Sequence, residues 1–398
     1  MKSRFYKNKL IQYVGVGVLF AGTVGLTVAM GSNPQNIEPR QVGEVIEQKQ
    51  MPKIQLAILL DTSNSMDGLI DQARNQLWQV VNEFSKAKHN GVTPVLEVAV
   101  YEYGNDGLSS RQGFTRQVIA LTRDLDQVSE ALFSLTTNGG SEFCGYAIQA
   151  SVNELNWSDS QQDIKTIFIA GNEAFSQGNV SYKHAIEQAK NSGITVNTIH
   201  AGSYDEGVQT GWQEGALLAG GNFMSINHNH RTVHVVAPQD AEIAQLNQQL
   251  NETYIPYGVK GQDGVARQVM QDANSNNVSL GMLAKRAKTK ASSFYDSSEW
   301  DLVDAMEKKK LDIESLEEEA LPSEMVDMDG EARQAYVVEK ARQREEIKER
   351  ISNLSQARDK FVAEKKSEMA VEEAETLDDA LISAIKAEAV KKQYEFLE

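Results

Sequence analysis

An aspartate followed at two-residue spacing by two hydroxyls, Asp61-Thr62-Ser63-Asn64-Ser65, stands directly after the apolar run at 54–60 and directly before a helical pattern that starts at Met66. A carboxylate at the carboxyl end of a buried parallel strand, with hydroxyls two and four residues on, gathers three oxygens at the rim where open α/β sheets bind ligands. One carboxylate and two hydroxyls, completed by waters, suit a hard cation such as Mg²⁺, which takes about six oxygens. The set contains neither thiolate nor imidazole, so it predicts Mg²⁺, Mn²⁺ or Ca²⁺ rather than zinc.

The elements that must hold this set are legible as alternation. Apolar, strand-like runs occur at 54–60, 95–103, 166–170 and 194–199, with a more polar one at 114–121 and a short one at 222–226. Helical patterns separate most of them. The pattern at 66–84 places Leu69, Ile70, Ala73, Leu77, Val80, Val81 and Phe84 on one face, and 128–135, 146–155, 182–190, 213–218 and 241–250 behave alike. Near-continuous apolar strands alternating with helices predict a doubly wound α/β fold, its mostly parallel sheet covered on both faces.

With its sequence context, the set Asp61-Thr62-Ser63-Asn64-Ser65 resembles the DxSxS metal-ion-dependent adhesion site of the von Willebrand factor type A domain. Further matching features are Gly139-Gly140-Ser141-Glu142 ahead of a helix, where the family usually has Gly-Gly-Thr-Asp, and the strand ending Ile169-Ala170-Gly171-Asn172-Glu173. The stretches Gly68-Leu69-Ile70-Asp71-Gln72-Ala73, Tyr101-Glu102-Tyr103-Gly104-Asn105-Asp106 and Thr253-Tyr254-Ile255-Pro256-Tyr257-Gly258 look like a bacterial subgroup of exported proteins of this family. The resemblance covers about residues 53–255, and the domain is expected over 53–258. It implies a divalent cation held by Asp61, Ser63 and Ser65, with Ser141 in the place of the family's threonine. The family's third-loop aspartate falls on Gly171, so the resemblance leaves Asn172 or Glu173 to substitute, directly or through water. A lost carboxylate should weaken the site, to a dissociation constant on the order of 10⁻⁴ to 10⁻³ M by analogy with extracellular calcium modules. Glu102, Asn105 and Asp106, at the end of the strand that the family sets beside the first one, are expected behind the ligands with Glu142, hydrogen-bonding metal waters. Gly104-Asn105-Asp106-Gly107 also reads as an ordinary turn.

Other candidates weigh less. His200, His228, His230 and His234 invite a zinc reading, but His228 and His230 sit in a polar loop without a fixed third ligand, and solvated loop histidines are the expectation. No HExxH, GxSxG, phosphate loop or paired-cysteine motif occurs. Asp329 in Asp327-Met328-Asp329-Gly330 reads as a helix N-cap rather than part of a calcium loop. Cys144 is the single cysteine among 398 residues, so it makes no internal disulfide; it reads as a small apolar core residue.

The charge excess of -17 argues against nucleic acid, which needs a clustered basic face. Residues 299–398 carry 28 acidic and 16 basic side chains, so acidity belongs mainly to the tail. Lys2, Arg4, Lys7 and Lys9 precede an apolar stretch from Leu10 to Met30, long enough at ~1.5 Å per residue to cross a ~30 Å hydrocarbon core. Residues 1–31 are therefore expected to be a transmembrane anchor or a signal peptide cleaved after Gly31, either of which puts the rest outside the cytoplasm, anchored at the inner membrane or free in the periplasm. Residues 32–52 read as a linker. Residues 259–330 are expected to be a helical or irregular extension carrying the aromatic patch Phe294, Tyr295 and Trp300, and 331–398 a charged helical hairpin or coiled coil.

The function predicted is a non-enzymatic, cation-dependent protein-binding module of the envelope, whose open metal position takes an Asp or Glu of a partner protein. Two other classes remain: a metal-dependent hydrolase using Glu102 or Glu173 as general base, and an assembly protein self-associating through its helical tail.

Overall fold

In the computed structural model, which describes residues 51–227, 235–368 and 377–396, the apolar run that follows the linker becomes β1 (Lys53–Asp61) at the centre of a sheet. The other strands are β2 (Ala87–His89), β3 (Val95–Tyr103), β4 (Thr115–Thr122), β5 (Ile164–Gly171), β6 (Thr195–His200), β7 (Phe223–Ser225) and β8 (Tyr394–Phe396). Six of them run in the order β4-β3-β1-β5-β6-β7, all parallel to their neighbours except β4, which is antiparallel to β3 at the edge.

Side chains alternate across the sheet, as a two-residue period requires. On β1, Ile54, Leu56, Ile58 and Leu60 join one core, while Ala57 and Leu59 join the other. The helices are α1 (Asp67–Phe84), α2 (Leu125–Ser134), α3 (Cys144–Glu154), α4 (Tyr182–Asn191), α5 (Tyr204–Gln209), α6 (Trp212–Ala219), α7 (Asp240–Asn251), α8 (Gly261–Val278), α9 (Leu280–Lys290), α10 (Leu302–Glu307), α11 (Gly330–Glu368) and α12 (Leu377–Lys391). α1, α2 and α12 cover the first face, α3, α4 and α6 the second.

The helical extension is built around buried charge. Arg286 on α9 is fully buried between Asp272 on α8, at 2.6 Å, and Asp126 on α2, with its guanidinium over the Trp78 ring of α1. Arg344 on α11 pairs with Asp301 and Asp304, each at 2.7 Å, and lies 4.0 Å from the Tyr254 ring centroid. Arg358, nearly four turns further along α11, meets Asp240 at 2.6 Å. Asp329 caps α11 by accepting the Ala332 N–H at 2.8 Å. Phe294, Tyr295 and Trp300 are all buried, with Tyr254 stacked on Trp300.

The two tail helices have separate partners: α11 lies against α7 and α9, while Leu377, Leu381 and Ile385 of α12 enter the core beneath α1. β8 then pairs with β2, and the Tyr394 hydroxyl donates to the Lys53 carbonyl at 3.2 Å. These two strands have three residues each, too few to show a period in sequence. The leader at 1–31, the linker up to 50, His228, His230 and His234 lie outside the described residues. No helix among the described residues is long and apolar enough to cross a membrane.

Two stability outcomes follow from the buried charges. Arg344→Met strands Asp301 and Asp304 without their cation, a loss of about 3–5 kcal/mol, which thermal unfolding should register as a fall on the order of 10 °C in Tm. Burial pushes the Glu388 carboxyl of α12 above its ordinary value, against the opposing pull of Lys392. A carboxyl raised in the folded state contributes stability below its unfolded pKa and loses it as pH rises through the folded one. Glu388→Gln should therefore gain Tm over the wild type as pH rises above the ordinary carboxyl range; parallel curves for the two proteins would contradict the assignment.

Candidate metal centre

The register of the sheet sets the site. Leu60 pairs with Glu102 on one side and Ala170 on the other, so the ends of β3 and β5 flank the end of β1. Backbone bonds then fasten the loop after β1: the Thr62 N–H donates to the Tyr103 carbonyl at 2.8 Å, the Asn138 N–H to the Thr62 carbonyl at 2.9 Å, and the Asn64 N–H to the Gly139 carbonyl at 3.1 Å. An isolated bridge between Gly104 and Ser141 brings the segment before α3 to the same rim.

Asp61 is fully buried there. Its Oδ1 accepts the Ser63 N–H at 2.8 Å, while its Oδ2 has no hydrogen-bond partner. The hydroxyls of Ser63 and Ser65 lie 3.3 Å apart. Asn172 donates from Nδ2 to the Ser65 hydroxyl at 3.2 Å, and its Oδ1 is buried without a partner. Glu142 is buried close to Asp61, and its Oε2 accepts the Glu173 N–H at 3.3 Å.

Gly104 makes this convergence possible. It has a φ of +84°, and a Cβ on it would lie 2.6 Å from Asp61 Oδ1 and 2.9 Å from Glu142 Cγ. A side chain at 104 would therefore occupy the ground on which the two carboxyls rest. Burial raises the Asp61 carboxyl. Burial first, then the hydrogen bond and charge of Asp61, raises Glu142. Among the described residues neither forms an ion pair, and two acid groups held side by side raise one another's affinity for a proton.

The structure thus brings Asp61, Ser63, Ser65 and Asn172 together, with Ser141 half-buried at the same rim. Glu173 contributes backbone: its N–H serves Glu142 and its carbonyl accepts the Trp212 indole N–H at 2.8 Å, while its side chain is exposed. Glu102 sits behind the loop, accepting the Thr62 hydroxyl at 3.2 Å and paired with Arg116. Asn105 shapes its turn, accepting the Gly107 N–H at 2.9 Å and donating to the Thr136 carbonyl at 3.1 Å; Asp106 is exposed. Sequence reasoning did not single out Tyr103, whose hydroxyl donates to the Ala170 carbonyl at 2.9 Å and fills the space beside Gly171. Its only signal was a polar-tipped aromatic at a strand end. The Cys144 thiol is buried against that hydroxyl and pushed well above its ordinary pKa, which leaves it inert.

Two acid groups in contact, an orphaned carboxylate oxygen, an orphaned amide oxygen and adjacent hydroxyls are donors that fit a hard cation. No group of three or more His, Cys, Asp or Glu side chains among the described residues is arranged to hold a metal, so hydroxyl and amide oxygens would have to share the coordination. Gly104→Ala should lower Tm and abolish any stabilisation by Mg²⁺ or Mn²⁺ in a thermal shift experiment. A variant as responsive to the ions as the wild type would place their site elsewhere.

The family model of the von Willebrand factor type A domain matches residues 55–210. No curated protein matches the chain. Among solved structures, proximal thread matrix protein 1 from the mussel byssus, with a zinc-occupied MIDAS motif, is 14% identical with a TM-score of 0.34, covering 44% of this chain and 42% of its own. The chain thus spans less than half the length of that protein. An aerotolerance-related membrane protein from Bacteroides fragilis, with multiple mutations to serines, is 18% identical with a TM-score of 0.31, covering 44% of this chain and 93% of its own. BatB from Bacteroides thetaiotaomicron is 14% identical with a TM-score of 0.34, over 44% of this chain and 90% of its own.

Proposed function

From the premise that residues 55–210 are a von Willebrand factor type A domain, we propose that the chain is a cation-dependent protein-binding module of the cell envelope that captures an Asp or Glu side chain of a partner protein. Asp61, Ser63 and Ser65 would hold the ion, with Ser141 beside them, and Mg²⁺ is the cation that this oxygen set suits best. When bound, the ion supplies a positive centre with an open position. The single observation that carries the reading is Asp61 Oδ2, buried at the sheet rim beside two hydroxyls and without a partner.

The chain's own residues divide the work. Asp61 supplies charge, the Ser63 N–H fixes the rotation of its carboxylate, and Ser65 sits at the exposed lip where a partner would approach. A partner carboxylate that displaces water there gains electrostatic energy that an amide does not, which makes the site selective for acids. The hydrolase reading has less support: Glu102 is engaged by Arg116 and Thr62, and the Glu173 side chain is exposed, so neither is an evident general base. The self-association reading also loses ground, because Val337, Ile351, Leu377, Leu381 and Ile385 of the tail helices are buried within the chain. Placement in the envelope rests on the basic and apolar leader at 1–31.

Asp61→Ala should keep its circular dichroism spectrum while losing both stabilisation by Mg²⁺ and Mg²⁺-dependent capture of a partner from envelope extract. Equal capture by wild type in EDTA, or by the variant in Mg²⁺, would refute the proposal.

A further inference from the structure

The third loop of this rim has no carboxylate where one is expected, and the structure gives a steric reason. A Cβ on Gly171 would lie 2.4 Å from the Tyr103 hydroxyl and 3.1 Å from both Asp61 Cβ and Oδ2. The hydroxyl is anchored to the Ala170 carbonyl at 2.9 Å, so it does not yield easily. Position 171 is closed to an acid by its neighbours. On the other side of Asp61 the space is filled by a different acid. Glu142 is 3% exposed, and both carboxyl-bearing side chains stand on the same bare face of Gly104, where a Cβ would meet Asp61 Oδ1 at 2.6 Å and Glu142 Cγ at 2.9 Å.

We infer that Glu142, one residue beyond the serine that stands for the family's threonine, supplies the cation's second carboxylate in place of the third loop. The inference rests on the metal-site reading proposed above and adds a ligand to it. The Glu173 N–H donates to Glu142 Oε2 at 3.3 Å, so the third loop serves the ion by orienting this carboxylate rather than by contributing its own. Glutamate is needed for reach: a second-loop acid must extend across the Gly104 surface to stand against Asp61, and aspartate is one methylene shorter. Two carboxylates neutralise a divalent charge that one leaves half unmatched, and ligand charge count tunes the affinity of oxygen sites for such ions. The chain should then load its cation without help from a partner, and more tightly than the 10⁻⁴ to 10⁻³ M order of an oxygen site with a single firm carboxylate.

Titrating the full chain with Mn²⁺, and following free Mn²⁺ by its electron paramagnetic resonance signal, tests this without any partner. Glu142→Gln should weaken binding at least tenfold and Glu142→Asp by a smaller factor, while Glu173→Gln, whose side chain is exposed, remains within about threefold of wild type. Melting each variant in EDTA separates a lost ligand from a lost fold; Glu142→Gln, nearly isosteric, should melt no lower than wild type. Unchanged Mn²⁺ affinity in Glu142→Gln, with a tenfold loss in Asn172→Ala or Glu173→Gln, would overturn the inference and return the ligand to the third loop. Wild type that binds Mn²⁺, Asp61→Ala that does not and Glu142→Gln that still does would sink this inference alone. A wild-type chain that takes up no Mn²⁺ would sink the metal-site reading with it.

Discussion

A carboxylate at the buried end of a central strand has to be neutralised, by a proton or by a cation, because the interior does not solvate its charge. Asp61 is in that position, and the rim around it is arranged by this requirement. The Ser63 N–H takes one oxygen, the other is left over, and the nearest acid is a second buried carboxyl rather than a basic residue. Glycines at 104 and 171 keep the walls low enough for both groups to stand there. Such an arrangement is unfavourable by itself, and a divalent ion held there, as proposed, would relieve it.

The remainder of the molecule meets the same constraint in the opposite way. In the helical extension every fully buried cation has its acids supplied by the chain: Arg286 has Asp126 and Asp272, Lys290 has Asp272, and Arg344 has Asp301 and Asp304. These networks are closed, with hydrogen bonds that tie α2 to α8 and α9, and α11 to the segment at 301–304. Closed networks hold elements in register; an open one at the rim is available to something from outside. The contrast separates the charges satisfied within the chain from those left open at the rim, where binding is proposed.

Alternation of apolar runs and amphipathic stretches determined the layered sheet, and the strand at 95–103 matches β3 residue for residue. It did so because a two-residue and a 3.6-residue period are written in neighbouring side chains. The short pair β2 and β8 had no period to read, and α5 lay hidden in a six-residue stretch with little amphipathic pattern. The antiparallel edge strand β4 was legible as a strand, from 114–121, but its direction was not, since direction depends on how the chain returns to the sheet.

At the site, Asp61, Ser63 and Ser65 were determined by sequence alone, because one strand end and one tight loop fix all three within five residues. What the sequence had no means of deciding was which of Asn172, Glu173 and Glu142 faces Asp61. Those residues sit on two other loops, and their approach is set by the register of β1 against β3 and β5, by the room that Tyr103 takes beside Gly171, and by the bare surface of Gly104. Such choices are made by close packing between segments distant in the chain, where a few tenths of an ångström separate contact from clash, and no local pattern records them.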